Sequence, residues 1–251
     1  MFFIFTKSIG LYINLLSYVF PKKASKIAYA FFSEPREGKL SKSKLPKILQ
    51  EAQSETFQQE GHHFQTYIWK GNDTVILLVH GWESNASRWE NLLPYLRKSG
   101  STIIAIDGPA HGLSSGTEFN IPQYAEFIHI AVQKFKPQFL IGHSLGGKTC
   151  LYYQSVYQND ALKKMVILGS PSDFSIILNN YITLLSLNSK VLKALENHYL
   201  DAFKLKLDHF SGKLFASKIK TKGFIAHDID DTVVLFEEGK KLQGLGKMQF
   251  L

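Results

Sequence analysis

The sequence has 251 residues, which is enough for one large α/β domain or two small ones with a core of their own. Its single cysteine, Cys150, excludes an intrachain disulfide, favours a reducing, cytoplasmic compartment, and is expected to pack in a core. The formal net charge of +8 is concentrated in residues 21–50, but no aromatic and basic nucleic-acid motif accompanies it. The composition therefore predicts no nucleic-acid partner.

Residues 1–20 carry the first helical pattern. Their polar or small side chains recur at spacings of three and four and so share one helical face: Lys7, Gly10, Asn14 and Ser17. Too few apolar residues lie between Lys7 and Pro21 for a membrane span. Two interpretations of residues 1–47 stay open: the helix docks on its own domain, or it contacts a membrane surface peripherally with help from the lysines that follow.

From residue 62 onward, apolar runs of strand length alternate with helical patterns. The runs are nearly continuous, as buried parallel strands require. They are TVILLVHG (74–81), STIIAIDGP (101–109), QFLIGHS (138–144), KMVILGSP (164–171) and KGFIAHD (222–228). This alternation predicts an α/β fold with a doubly wound, mostly parallel sheet.

Residues 174–218 interrupt this alternation, because they carry helical patterns and no convincing strand. A helical cap inserted into the α/β fold would account for them. The predicted organisation has three parts: an N-terminal amphipathic helix and basic segment at 1–50, a core at 51–173 and 219–251, and the cap at 174–218.

The stretch FLIGHSLGGKTC (139–150) fits two motifs at once. Gly142 to Thr149 matches the phosphate-binding G-x-x-x-x-G-K-T, whereas Gly142 to Gly146 matches G-x-S-x-G, a turn that exposes a nucleophilic serine. A phosphate loop requires a later apolar strand that ends in Asp and holds magnesium, but the well-formed example, TIIAID with Asp107, precedes the motif. The nucleophile interpretation is therefore favoured. Lys148 and Thr149 are then expected to be ordinary residues of the helix that follows the serine.

A nucleophilic serine at Ser144 has further requirements. The tight turn brings neighbouring backbone into contact, so small residues are required on both sides, and Gly142 and Gly146 provide them. Backbone N–H donors must meet the oxyanion that forms during acyl transfer. Leu145 at the helix start and Trp82 in LLVHGW can supply two.

Four motifs in this order, LLVHGW, AIDGPAHGLSSG, IGHSLGG and IAHDIDDTVV, resemble the serine-nucleophile branch of the α/β-hydrolase superfamily over about residues 62–251. The resemblance implies an esterase-like or lipase-like enzyme that forms an acyl-enzyme on Ser144, takes a small-molecule ester, and needs no metal or organic cofactor. Gly81 then belongs to the turn that supports the oxyanion donors. The family's acid usually sits four positions after the histidine of an HG pair, which selects Asp231, with Asp230 and Asp228 as fallbacks.

Several neighbouring residues are expected to have structural roles instead. Asp107 stands at a strand end before a Gly-Pro pair, and an acid in that position more often caps the turn than performs catalysis. His111 is expected to be structural, His80 to order the oxyanion turn, and Trp82 and Trp89 to form core or pocket wall.

The resemblance also implies a histidine base, placed after a helix and one more strand, about 25–30 residues beyond the acid. After Asp231 the chain reads TVVLFEEGKKLQGLGKMQFL, which suits that helix and strand but contains no histidine. Two explanations stay open: the sequence is a truncated hydrolase, which its apolar terminus favours, or it is a catalytically impaired or non-enzymatic relative. Substitution by His198, His209 or His227 does not fit the geometry of the turn.

Overall fold

The computed structural model describes residues 2–204, 206, 210–243 and 247–250. The chain divides into two compact units. The smaller unit combines Met1–Glu34 with Asp173–Ser211, and the larger combines Pro35–Ser172 with Gly212–Leu251.

The larger unit contains a sheet whose strands follow the order β1-β2-β4-β3-β5-β6-β7-β8. The strands are β1 (Gln53–Gln59), β2 (His62–Trp69), β3 (Asn72–Val79), β4 (Ser101–Ile106), β5 (Phe139–His143), β6 (Lys164–Leu168), β7 (Lys222–Ala226) and β8 (Met248–Phe250). β1 and β2 pair antiparallel, β2 also pairs antiparallel with β4, and all the other pairings are parallel. The predicted mostly parallel α/β sheet is confirmed, and the five apolar runs form β3 to β7.

Ten α-helices are present in the described part of the chain. They are α1 (Phe2–Val19), α2 (Pro21–Ser33), α3 (Lys47–Gln50), α4 (Leu93–Arg97), α5 (Ile121–Phe135), α6 (Leu145–Tyr157), α7 (Phe174–Leu185), α8 (Ser189–Phe203), α9 (Gly212–Lys218) and α10 (Phe236–Leu242). In α5, Asn120 accepts a hydrogen bond from the N–H of Gln123, which caps the helix, and its apolar stripe is buried. None of these helices has the length and hydropathy that crossing a bilayer would require.

The core of the larger unit lies around the central strands. Leu78 of β3 and Ile103 of β4 are fully buried, and Trp89 is almost so, in one cluster with Tyr67 and Ile141. The apolar side chains of β3 from Val75 to Val79 are not interrupted by polar ones, and the last four of them are buried, as in a strand covered on both faces. Because β3, β5, β6 and β7 pair in parallel, their carboxyl ends lie at the same edge of the sheet.

The smaller unit consists of α1, α2, α7 and α8. Ile13, Ala28, Leu178 and Leu195 are buried at its centre, and Gly10 allows α1 to approach α7 closely. This grouping differs from the predicted boundaries: residues 1–34 share one core with the helices of the predicted cap, whereas α9 and the segment 35–50 belong to the larger unit.

Candidate active site

Ser144 lies in a sharp turn between β5 and α6. Its φ and ψ are 54° and −125°, a conformation that a non-glycine residue adopts only when its surroundings enforce it. The N–H of Ser144 donates to Leu168 at the end of β6 (2.8 Å). A Cβ added to Gly142 would lie 2.7 Å from Cα of Gly147, and one added to Gly146 would overlap backbone carbonyl oxygens of the β3 end. Both glycines are therefore required by close packing, as the motif predicts.

The turn after β3 packs directly against Ser144. A Cβ added to Gly81 would lie 2.8 Å from Cβ of Ser144 and 3.3 Å from the backbone nitrogen of Leu145. Leu145 is the first residue of α6, so its N–H has no partner within the helix. The structure therefore brings Gly81, and with it the adjoining Trp82, next to Ser144 and Leu145.

Two histidines stabilise the loops around this turn as neutral side chains. Nε2 of the buried His80 accepts from the N–H of Gly108 (2.8 Å), so the proton is on Nδ1, which donates to the carbonyl of Gly81 (2.6 Å). Burial holds the pKa of His80 well below its usual value. Nε2 of His111 accepts from the N–H of Glu83 (2.9 Å), and burial lowers its pKa to about 4. Both positions match the structural roles predicted for them.

Asp107, at the end of β4, is a fully buried carboxyl group. It accepts hydrogen bonds from the N–H groups of Ala86 and Leu113 (both 2.9 Å) and from the hydroxyl of Tyr67 (3.0 Å). Burial raises the pKa of Asp107 to about 6, and these donors oppose the shift. Asp107 thus joins the loops after β3 and β4, as predicted for a turn-capping residue.

The acid predicted at Asp231 follows β7. One carboxylate oxygen accepts from the N–H groups of Val233 (2.8 Å) and Val234 (2.9 Å), and the other lies 3.8 Å from Nε2 of His227. The fallback residues Asp228 and Asp230 are exposed, whereas Asp231 is partly buried. Asp228 accepts one loop hydrogen bond, from the N–H of Asp230 (3.0 Å), whereas Asp231 accepts two and is the least exposed of the three carboxylates.

His143 and Arg88 are site residues that the sequence analysis missed. Arg88 Nη2 lies 3.0 Å from Nε2 of His143. Because guanidinium only donates, Nε2 accepts and the proton is on Nδ1. Burial and then Arg88 lower the pKa of His143 to about 4, against the opposing effect of Asp231. A Cβ added to Gly169 would lie 3.5 Å from Asp231 Oδ2 and 3.9 Å from His143 Nε2, so both groups flank Gly169. The one sequence signal for His143 was its place beside the motif serine.

The histidines around the site have Nε2 engaged. They are His80, His111, His143 and His227, the last of which donates to the carbonyl of Val234 (2.6 Å) from an enclosed ring. His198 belongs to the smaller unit, where it contacts the ring of Tyr29 at 3.9 Å between centroids. His209 lies outside the described residues. None of the four histidines around the site presents a free Nε2 to Ser144.

The lysine of the phosphate-loop alternative is enclosed. Lys148 is fully buried in α6, and its Nζ donates to the carbonyl oxygen of Ser172 (3.0 Å). A phosphate loop needs its lysine directed at the ligand. The described residues also contain no cluster of three His, Cys, Asp or Glu side chains that could hold a metal ion.

This fold and this turn define a class of protein, and comparison with known families agrees. The chain belongs to the alpha/beta hydrolase fold family, whose model matches residues 74–241.

The curated relatives match at low identity. The chain is 28% identical over 117 residues to Protein phosphatase methylesterase 1 of Candida albicans, covering 43% of this chain and 32% of that protein. It is 29% identical over 100 residues to the Bifunctional esterase/perhydrolase DCH of Acinetobacter calcoaceticus, covering 38% and 36%. The match therefore spans about a third of the length of these relatives.

Solved structures share the fold. MGS-M2, an alpha/beta hydrolase enzyme from a Medee basin deep-sea metagenome library, superposes with a TM-score of 0.60 at 16% identity, covering 78% of this chain and 88% of that one. The esterase RhEst1 from Rhodococcus sp. ECU1013 superposes with a TM-score of 0.58 at 17% identity, covering 80% and 89%.

Proposed function

We propose that the protein is a serine hydrolase that cleaves carboxylic esters through an acyl-enzyme on Ser144. The observation that carries this proposal is the strained backbone of Ser144 between β5 and α6, with the Gly81 turn packed against its Cβ. Such a turn holds a serine hydroxyl next to backbone N–H groups. The esterase names of the two curated relatives support the same reaction class.

In the proposed reaction, Ser144 Oγ attacks the acyl carbonyl while its proton passes to an imidazole base. The carbonyl oxygen becomes an oxyanion, which the N–H groups of Trp82 and Leu145 stabilise. The tetrahedral intermediate collapses, the C–O bond to the alcohol breaks, and the base returns its proton to the departing alkoxide. Water, deprotonated by the same base, then attacks the acyl-enzyme, releasing the carboxylic acid and regenerating Ser144.

Asp231 is the proposed acid that holds the base in the required tautomer. The N–H groups of Val233 and Val234 fix one of its oxygens, which leaves the other for an imidazole. The second oxygen also faces His227, but at 3.8 Å from an Nε2 that already donates to Val234.

The test is active-site labelling. A fluorophosphonate probe is expected to label Ser144, and Ser144→Ala is expected to remove the label with little change in Tm. Ser155→Ala provides a matched control, because Ser155 lies on α6, the helix that follows Ser144, and its hydroxyl donates to the carbonyl of Tyr152 (2.8 Å). Labelling that persists in Ser144→Ala, or that disappears in Ser155→Ala alone, would contradict the assignment.

A second candidate function is a catalytically impaired or non-enzymatic hydrolase-fold protein. The observation that favours it is that the histidines around Ser144 have Nε2 engaged. In serine hydrolases without a working triad, the oxyanion donors and the binding pocket still give roughly 10³–10⁴-fold catalysis over water. Turnover of p-nitrophenyl acetate separates the two candidates.

We expect the 251-residue chain to show feeble turnover that exceeds the residual turnover of Ser144→Ala. Turnover indistinguishable from that of Ser144→Ala would favour the non-enzymatic candidate. Fast, Ser144-dependent turnover that Asp231→Asn suppresses would assign the base to a histidine within the chain, to be tested by substitution of His227, His209 and His198 in that order.

A further inference from the structure

The first helix turns its polar side towards its own unit. Lys7 Nζ donates to the carbonyl of Thr183 (3.0 Å) and to the hydroxyl of Ser186 (2.8 Å). The Asn14 amide donates to the carbonyl of Ser186 (2.8 Å) and accepts from the N–H of Asn188 (2.8 Å). Lys7 and Asn14 belong to the polar face identified in the sequence. That face is therefore used for packing against α7 and the start of α8.

Ile13 of α1 packs into the core of the unit, but most of the other large apolar side chains of this helix are exposed. These side chains expose between 53% and 68% of their surface: Phe5, Leu11, Tyr12, Leu15, Tyr18, Val19 and Phe20. Those within α1 lie on one broad face of the helix, because successive residues are 100° apart. Contiguous exposed apolar patches on a soluble protein mark contact surfaces for proteins or membranes.

Positive charge adjoins this apolar face. Lys190 and Lys193 are exposed near the start of α8, and Lys190 Nζ lies 4.2 Å from the centroid of the Tyr18 ring. Both lysines line a cavity of about 490 Å³ together with Tyr18 and Ser25. The first turn of α8 carries no acidic residue, so the lysines add to the positive end of the helix dipole.

We propose that the outward face of α1, with Lys190 and Lys193 at its edge, is a docking surface for an anionic lipid bilayer. The aliphatic and aromatic side chains enter the boundary between headgroups and acyl chains, and the lysines approach lipid phosphates. The charge favours this occupant over a second copy of the chain, because a symmetric dimer through this face would bring the same lysines together, and neither α1 nor the first turn of α8 carries an acidic residue.

The experiment is co-sedimentation of the full chain with vesicles. We expect binding to vesicles of phosphatidylcholine with about one quarter phosphatidylglycerol, weaker binding at about 0.3 M than at about 0.05 M salt, and little binding to phosphatidylcholine alone. Absence of binding to the anionic vesicles at low salt would overturn the proposal.

The apolar contribution is tested with a double variant, Leu15→Ser with Val19→Ser. It is expected to weaken binding at least about tenfold while the far-ultraviolet circular dichroism stays unchanged, since both side chains are exposed. Tyr95→Ser with Val156→Ser is the matched control, because these exposed apolar residues lie in the larger unit. Equal effects of the two pairs, or no effect of the first, would overturn the proposal.

The charge contribution is tested with Lys190→Gln and Lys193→Gln together. This pair is expected to weaken binding to anionic vesicles about tenfold and to reduce its salt dependence. Lys134→Gln with Lys163→Gln is the control, since these exposed lysines lie in the larger unit. A lipid-free dimer that dissociates in the Leu15 and Val19 variant, combined with no vesicle binding, would identify a second copy as the occupant instead.

Discussion

Replacing Gly81 by alanine tests whether the turn after β3 provides an oxyanion donor. The new Cβ would lie 2.8 Å from Cβ of Ser144, whereas carbon atoms in contact are about 3.5–4.0 Å apart, so the turn must retreat by about 0.7–1.2 Å. Trp82 is bonded to Gly81 and moves with it. A hydrogen bond of about 2.9 Å lengthened by that amount is no longer a hydrogen bond. Loss of one oxyanion donor typically costs about 10²–10³ in rate.

The assay is the rate of Ser144 acylation by p-nitrophenyl acetate, corrected with Ser144→Ala. We expect the Gly81→Ala rate to be lower by about 10². Gly61→Ala is the control: its φ of 81° strains an alanine, but no atom lies within 4 Å of the new Cβ. It is expected to lose about 1 kcal/mol of stability with its acylation rate unchanged. An acylation rate for Gly81→Ala within about threefold of the parent would refute the reasoning.

Three further substitutions test the surroundings of the site. Burial raises the pKa of Asp107 to about 6, so between about pH 4 and pH 6 the folded state holds a proton that the unfolded state has lost. The free energy of unfolding should therefore fall by on the order of 3 kcal/mol as the pH rises through this range. Urea unfolding of Asp107→Asn should give a free energy of unfolding without this decrease. A pH profile identical to that of the parent would contradict the raised pKa of Asp107. Gly146→Ala places a methyl group against the carbonyl oxygen of His80 and should lower the free energy of unfolding by at least about 2 kcal/mol, whereas an unchanged thermal melt would show that the turn can relax. Arg88→Gln should raise the pKa of His143 from about 4, as followed by NMR titration; a constant value would mean that burial alone sets it.

The parallel part of the sheet was predictable, because strands buried on both faces leave continuous apolar runs in the sequence. β1 was not, because Gln53–Gln59 is an edge strand whose side chains are largely exposed and polar. The grouping of α1 and α2 with α7 and α8 was not predictable either. Helical periodicity identifies a face, but it does not specify which distant segment covers that face, or that in α1 the polar side is covered.

In the candidate site, the local features were predictable and the long-range ones were not. The glycines around Ser144 follow from the packing of one tight turn, so a short motif contains them. The contact between Arg88 and His143 joins residues 55 positions apart, and it depends on how the loop after β3 meets the end of β5. The roles proposed for Ser144, Asp231 and the two N–H donors stay predictions until labelling and turnover are measured.

The division of the smaller unit between two distant segments has a consequence for biosynthesis. α2 ends at Ser33 and α7 begins at Phe174, so roughly 140 residues must be translated before the first two helices meet their partners. At about 5–20 residues per second, this takes roughly 7–28 s. Throughout that interval α1 and α2 lack the side chains of α7 and α8 that complete their core, while the apolar face of α1 is exposed as it is in the folded unit. The nascent chain therefore presents an apolar segment to chaperones, targeting factors and lipid well before its hydrolase-like unit is complete.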